Sequence, residues 1–252
     1  MVFPPSPPPD AARLRPQLDA RLAAAASFVR EGAVAADIGT DHALLPLFLL
    51  AEGRIRFAVA SDIHRGPLER AKRNAALAGL SDRMRFALAD GLKGLAPERD
   101  GVTDILICGM GGELIARIVG ESEFTRKPGI RLILCPMSQP DKLREFLAGA
   151  GFAVLDEKLA EAAGKRYAVL CAEYDGQRRD LTPAERLLGR ANIEKNEPLF
   201  IPFASEWLAR VERRIEGRRE GGLDTADDEI LRNEIEAILK EKTADGNGRH
   251  RK

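Results

Sequence analysis

The sequence is poor in cysteine, balanced in charge and short of long apolar runs, and each lack excludes something. Its cysteines stand far apart, at 108, 135 and 171, and form neither a zinc-ligand pattern nor a disulfide framework. Lys+Arg and Asp+Glu both count 39, so the formal net charge is zero. Bulk charge therefore advertises neither nucleic acid nor membrane, and any RNA contact must come from local patches. The longest apolar run, Ala43 to Ala51, is too short to span a bilayer and contains Pro46. The start, MVFPPSPPPD, lacks the basic and apolar regions of a secretory signal. A cytoplasmic protein with no membrane contact and no metal is the expectation. With 44% apolar residues in 252, the chain has material for one full α/β domain and an appendage.

Six prolines in the first sixteen residues make 1–16 an extended or disordered tail. A helix is predicted over Gln17 to Arg30, with Leu18, Leu22, Ala25, Ala26 and Val29 on one face. Short apolar runs then alternate with helical segments. Strands are predicted at Ala33–Asp37, Phe57–Ser61, Met84–Ala89, Thr103–Cys108, Ile130–Cys135, Phe152–Leu155 and Tyr167–Ala172. Helices are predicted at His42–Glu52, Pro67–Ala78, Glu113–Val119 and Pro140–Ala150. The strands are continuous rather than alternating in polarity, which marks a parallel sheet covered on both faces, the doubly wound α/β class. This domain is placed at 17–178. From 179 to 243 no strand signal remains. Thr182-Pro183-Ala184-Glu185 is a capping box. Phe200, Trp207, Leu208, Val211 and Ile215 mark one amphipathic helix, Gly217 to Gly222 break it, and Leu231, Ile235 and Ile238 mark a second. The pair reads as an α-helical hairpin, followed by a mobile basic tail at 244–252.

In an open α/β sheet the ligand sits beyond the carboxyl ends of the strands. The first strand ends in Asp37-Ile38-Gly39-Thr40-Asp41-His42, where Gly39 supplies a tight turn and the next helix N-terminus offers free N–H groups. Asp41 stands where a dinucleotide fingerprint has its second glycine, so a pyrophosphate would face a carboxylate. A ligand with an amino-acid end and no phosphate suits this loop better. Asp62 follows the second strand, where a carboxylate can take two ribose hydroxyls, and Asp90 the third, where one can accept an adenine amino group. Together with Asp37 they match an S-adenosylmethionine site, against the plainer reading of each as a cap or turn residue. After the fourth strand, Gly109-Met110-Gly111-Gly112 lets backbone approach a ligand and exposes N–H groups.

These segments resemble one family. Asp37-Ile38-Gly39-Thr40-Asp41-His42 with proline four residues on, Asp62-Ile63 with Gly66-Pro67, and Cys108-Gly109-Met110-Gly111-Gly112 are similar to the TrmK family. Leu18-Asp19-Ala20-Arg21-Leu22 and Leu143-Arg144-Glu145-Phe146-Leu147 extend the likeness, and the family's C-terminal coiled-coil hairpin matches about 180–242. The resemblance implies a Rossmann-like class I methyltransferase that uses S-adenosyl-L-methionine to methylate N1 of adenine 22 in tRNA. It assigns donor binding to Asp37, Gly39, Thr40, Asp62, Ile63, Asp90, Gly91, Gly109, Met110 and Gly111. Cys135-Pro136-Met137-Ser138 departs from the Gln-Pro-Asn-like sequence the family tends to carry there.

Adenine N1 has a lone pair and needs no strong base, whereas its methylated product is cationic. Asp41 is the candidate catalytic residue for orienting the base and stabilising that charge, with His42 as a hydrogen-bonding partner. Because N1 lies on the pairing edge, the base must be unpaired or flipped. Other readings remain: a methyltransferase for another RNA or a small molecule, or an RNA-binding module without turnover. Cys135 as a cytosine-type nucleophile ranks below these. Arg126-Lys127, Arg131, Lys165-Arg166 and the hairpin's Arg210, Arg214 and Arg218 could meet phosphates or be plain surface.

Overall fold

The computed structural model describes residues 16–95, 97–195 and 197–248. The predicted tails lie outside the described residues except for Pro16 and 244–248. The chain divides after Arg179 into two compact units.

The first unit opens with α1 (Ala20–Phe28), whose start is set by Asp19. Its carboxylate accepts from the Leu22 amide at 2.8 Å and so satisfies one orphan donor of the first turn. Strands and helices then alternate: β1 (Ala33–Ile38), α2 (Leu44–Ala51), β2 (Ile55–Asp62), α3 (Arg65–Leu77), β3 (Met84–Leu88), the short α4 (Pro97–Asp100), β4 (Asp104–Cys108), α5 (Gly112–Gly120), β5 (Arg131–Cys135), α6 (Pro140–Gly149), β6 (Phe152–Ala162) and β7 (Lys165–Tyr174). Among the described residues they form one seven-stranded sheet ordered β3-β2-β1-β4-β5-β7-β6. Every residue of β1 is buried, as a central strand covered on both faces requires. Leu45, Leu47, Leu49 and Leu50 of α2 pack on this sheet with Val29 and Ala25 of the α1 region.

Two expectations are corrected here. The sheet is mixed: the pairs among β1–β5 are parallel, but β7 runs antiparallel to both β5 and β6. The segment expected to end at Leu155 continues to Ala162. Asp156, Glu157 and Lys158 hid the strand, because Glu157 is buried only by virtue of an ion pair with Arg144 at 2.6 Å. A two-residue connection forces antiparallel pairing, and Ala163 (φ 49°) with Gly164 (φ 70°) supplies the left-handed pair that such hairpins need.

The second unit holds α7 (Pro183–Leu188), α8 (Arg190–Glu194), α9 (Phe200–Glu220) and α10 (Ala226–Gly248). The Thr182–Glu185 capping box is present at both of its hydrogen bonds. Helix α9 passes through Gly217, and the turn falls at Gly221-Gly222, where Gly222 has φ 67°. A glycine inside a long packed helix costs only about 1 kcal/mol, too little to end it. Buried Asp228 of α10 pairs with Arg214 (2.6 Å) and Arg218 (3.5 Å) of α9, locking the two helices in register. Helix α10 also runs five residues past the expected hairpin end at 243, to Gly248.

Candidate active site

The loops that carry the sequence-predicted site residues all leave the carboxyl ends of β1–β4, and the parallel register brings those ends together. Ile38 stands beside Ser61 of β2 and Ile107 of β4, and Asp62 beside Leu88 of β3. The Gly39 and Thr40 amides both donate to the Ser61 carbonyl, at 2.8 and 2.9 Å. Both N–H groups are therefore engaged within the protein. The parallel ladder simply continues through them. Gly39 has φ 72°, a left-handed conformation that favours glycine, and a Cβ there would displace the end of the Met110 side chain, whose Cε would lie 2.0 Å away.

Helix α2 starts at Leu44, two residues later than expected, because His42 (φ 61°) and Ala43 (φ 54°) are both left-handed. Such conformations cost on the order of 1–3 kcal/mol each and persist only where neighbours fix them. Here the Asn74 amide donates to the His42 carbonyl at 2.9 Å. The α2 N-cap, Ala43, makes no side-chain bond, so Asp41 is not a helix cap.

The four acids differ in environment. Asp37 is buried, and burial pushes its carboxyl up to about 6; the Thr40 hydroxyl offsets this in part while Asp62 and Asp41 add to it. Asp41 is 74% exposed, 3.3 Å from His42 Nε2 and 3.5 Å from Arg70 Nη2. Asp62 holds the next turn, one oxygen accepting from the His64 amide at 2.7 Å, while Ile63 beside it is exposed. Asp90 accepts from Lys93 Nζ at 3.0 Å, which lowers its pKa, and Gly91 (φ 57°) opens the short 3-10 turn after it.

The glycine loop after β4 is stitched to the loop after β5. Gly109 N–H donates to the Cys135 carbonyl (3.2 Å), Met137 N–H to the Met110 carbonyl (2.8 Å), and Gly112 N–H to the Ser138 carbonyl (2.8 Å). Two of the amides expected to face a ligand, Gly109 and Gly112, are thus engaged within the protein. Gly112 exists for this packing, because a Cβ there would meet the Gln139 carbonyl oxygen at 2.1 Å.

Between these loops lies a cavity of about 340 Å³. The structure brings Asp37, Gly39, Asp41 and Gly109 to its wall, together with Arg21, Leu22 and Met137, which sequence reasoning had not assigned. Thr40, His42, Asp62, Ile63, Asp90, Gly91, Met110 and Gly111 stand on the same strand-end loops but do not line it. The signal for Arg21 was present as a charged residue beside Leu22 on an otherwise apolar helix. Arg70, which pairs with Asp41, left no local signal.

The remaining expectations resolve by partner. Burial pushes the Cys135 thiol up to about 11 and raises the Cys108 thiol well above its ordinary value, which makes both poor nucleophiles at neutral pH. Arg126 pairs with Glu123, Arg131 with Glu173 and Arg166 with Glu161. Arg210 pairs with Glu206 and stacks 4.6 Å from the Trp207 ring centroid. Among the described residues no group of three or more His, Cys, Asp or Glu is placed to hold a metal, and no helix is long and apolar enough to cross a membrane.

An adenosyl amino acid fits the residues present. The Ser61 hydroxyl at the end of β2 is buried without a hydrogen-bond partner, an arrangement costing roughly 1–3 kcal/mol unless a polar ligand relieves it, and the buried Asp37 carboxyl stands near the end of the neighbouring β1.

Comparison with known proteins agrees. Residues 18–170 match the family model described as a methyltransferase domain. The tRNA (adenine(22)-N(1))-methyltransferase of Bacillus subtilis is 39% identical over 170 residues, 64% of this chain and 69% of that protein. A Streptococcus pneumoniae protein solved in complex with S-adenosyl-L-methionine superposes with TM-score 0.77 at 32% identity, covering 88% of this chain and 100% of that one. The structure of Bacillus subtilis TrmK, an m1A22 tRNA methyltransferase, gives 0.75 at 31% identity, with coverage of 90% and 99%. On its strand order, its strand-end acids and glycines, and these likenesses, the chain belongs to the TrmK family of class I methyltransferases.

Proposed function

We propose that the protein transfers the methyl group of S-adenosyl-L-methionine to N1 of adenine 22 in tRNA, in the cytoplasm. The observation that carries this reading is the cavity at the carboxyl ends of β1 and β4, where Asp37, Asp41 and Arg21 surround a space without other charged lining. The relatives named above are the support for the choice of acceptor.

The donor supplies an electrophilic methyl group on a sulfonium. Asp37 would hold its ammonium group, Asp62 the ribose hydroxyls and Asp90 the adenine amino group, with exposed Ile63 beside the nucleoside. Thr40, Gly39, Gly91, Gly109, Met110 and Gly111 shape the walls. The lone pair of the acceptor N1 forms the new N–CH₃ bond as the S–CH₃ bond breaks, and the positive charge passes from sulfur to the adenine ring. No proton need be removed. In-line positioning therefore supplies most of the acceleration. Asp41, at the cavity rim, faces the developing ring charge, and His42 and Arg70 fix its carboxylate.

The test is to incubate the protein with donor and unmodified tRNA and to map methylated nucleosides by mass spectrometry. The reading expects 1-methyladenosine at position 22. Methyl transfer elsewhere, or none, overturns it.

A further inference from the structure

Helix α3 flanks the loop that carries Asp41, and two of its residues, one turn apart, reach that loop. The Asn74 amide donates to the His42 carbonyl at 2.9 Å, and Arg70 Nη2 stands 3.5 Å from Asp41 Oδ1. Arg70 is held loosely. Its Nε is buried without a hydrogen-bond partner, its approach to Asp41 is at the outer limit of a hydrogen bond, and its side chain is 41% exposed. Gly66, one turn earlier on α3, leaves the fork room to turn: even a Cβ there would come no nearer than 3.7 Å to Arg70 Nη1.

Asp41 lines the donor cavity and Arg70 does not, so the guanidinium stands outside, at the rim. The solvent side of α3 extends the positive charge from there. Arg65 and Arg73 are exposed and, among the described residues, have no carboxylate within ion-pair distance, while Glu69 between them is taken by Lys72 at 2.8 Å. In a chain of zero net charge this is a local feature. A guanidinium grips a phosphate through two parallel N–H groups, and backbone phosphates flank every nucleotide. An adenine delivered unpaired to the cavity carries its own phosphates to the rim. The donor has no phosphate, and its place is inside.

We propose that Arg70 binds the RNA backbone phosphate beside the unpaired adenine, on the side where Arg65 and Arg73 extend the positive face. Helix α3 is then the edge of the site that grips the RNA, next to the acid that faces the base. This inference rests on the acceptor reading above, and the experiment separates the two.

Unmodified tRNA would be titrated onto the full-length protein over a series of KCl concentrations, with wild type, Arg70→Gln and Arg70→Lys. Affinity for S-adenosylhomocysteine is measured beside it, and melting curves report whether each variant folds. Losing one phosphate contact lowers the slope of log K against log[KCl] by about 1, which a purely structural role of Arg70 would not do. Arg70→Gln should weaken tRNA binding about tenfold and lower the slope by about that amount. Arg70→Lys, which keeps charge without the fork, should keep the slope and lose about threefold in affinity. Affinity for S-adenosylhomocysteine should stay within about twofold in both. Should Arg70→Gln fail to fold, Arg70→Lys carries the test through its loss of tRNA affinity. Unchanged tRNA binding, or an equal loss for tRNA and S-adenosylhomocysteine, would overturn the assignment of Arg70 while leaving the methyltransferase reading in place. A wild type that neither binds nor methylates tRNA would overturn the acceptor reading itself.

Discussion

The two ends of the sheet are built on opposite terms. At the amino end, arginines satisfy carbonyls and carboxylates. Buried Arg83 donates to the carbonyls of Ile55, Arg56 and Leu50, Arg54 to Val29, and Arg56 to Gly32. Arg30 grips the fully buried Asp104 through Nε at 2.9 Å and Nη2 at 2.6 Å. At the carboxyl end, the Ser61 hydroxyl lacks a partner, Asp37 is a buried carboxyl among acids, and His42 and Ala43 are held left-handed. One end holds the fold together. The other stores unmet polar groups and backbone strain, the signature of a site kept ready for a ligand at the expense of stability.

That contrast can be broken by mutation. The largest effect belongs to the amino end. Arg30→Ala leaves Asp104 buried without its guanidinium and should destabilise the protein by about 3 kcal/mol. Urea titration would measure this, and donor affinity in the folded protein should not move.

At the carboxyl end the pH dependence of stability should reveal Asp37. Its folded pKa, about 6, lies above the ordinary aspartate value of about 3.9, so the folded state favours the protonated acid. Stability from this group is complete below about pH 4 and is lost as pH rises through about 6, on the order of 2–3 kcal/mol in total. Urea midpoints recorded across that window should fall with rising pH. Saturating S-adenosylhomocysteine, with an ammonium group beside Asp37, should flatten the curve, and a flat curve without ligand would contradict the assignment.

Smaller effects follow at the exposed acids. Asp62→Ala should weaken S-adenosylhomocysteine by about 1.5–3 kcal/mol, the scale of charge-assisted hydrogen bonds, as read by calorimetry. Asp41→Asn should slow single-turnover methylation by about tenfold with little change in donor affinity. Its exposure and its Arg70 partner screen the carboxylate, so it falls short of a buried electrostatic stabiliser. An unchanged rate would leave Asp41 without a catalytic role.

What could be read from the sequence follows from how local its causes are. The continuous apolar runs placed β1 to β5 and their helices, because burial on both faces writes itself into consecutive residues. The strand-end acids and glycines were legible for the same reason: each sits at a fixed offset from a strand end. The second half of β6 was not legible, because Glu157 is buried by a partner thirteen residues away on α6. The amides of Gly109 and Gly112 looked available, because their acceptors at the end of β5 and in the loop after it are tertiary. Arg21 and Arg70 escaped for the same cause, since only the fold carries α1 to the β4 loop and α3 to Asp41.

Melting curves of wild type and Asp37→Asn, each with and without S-adenosylhomocysteine at pH 7.5, test most directly the claim that the unsatisfied end of the sheet is the donor site. The account expects the variant to melt higher than wild type without ligand, since a buried charge has become a neutral amide, and to lose the ligand-induced rise. A variant that melts lower without ligand, or that keeps the full rise, would contradict it.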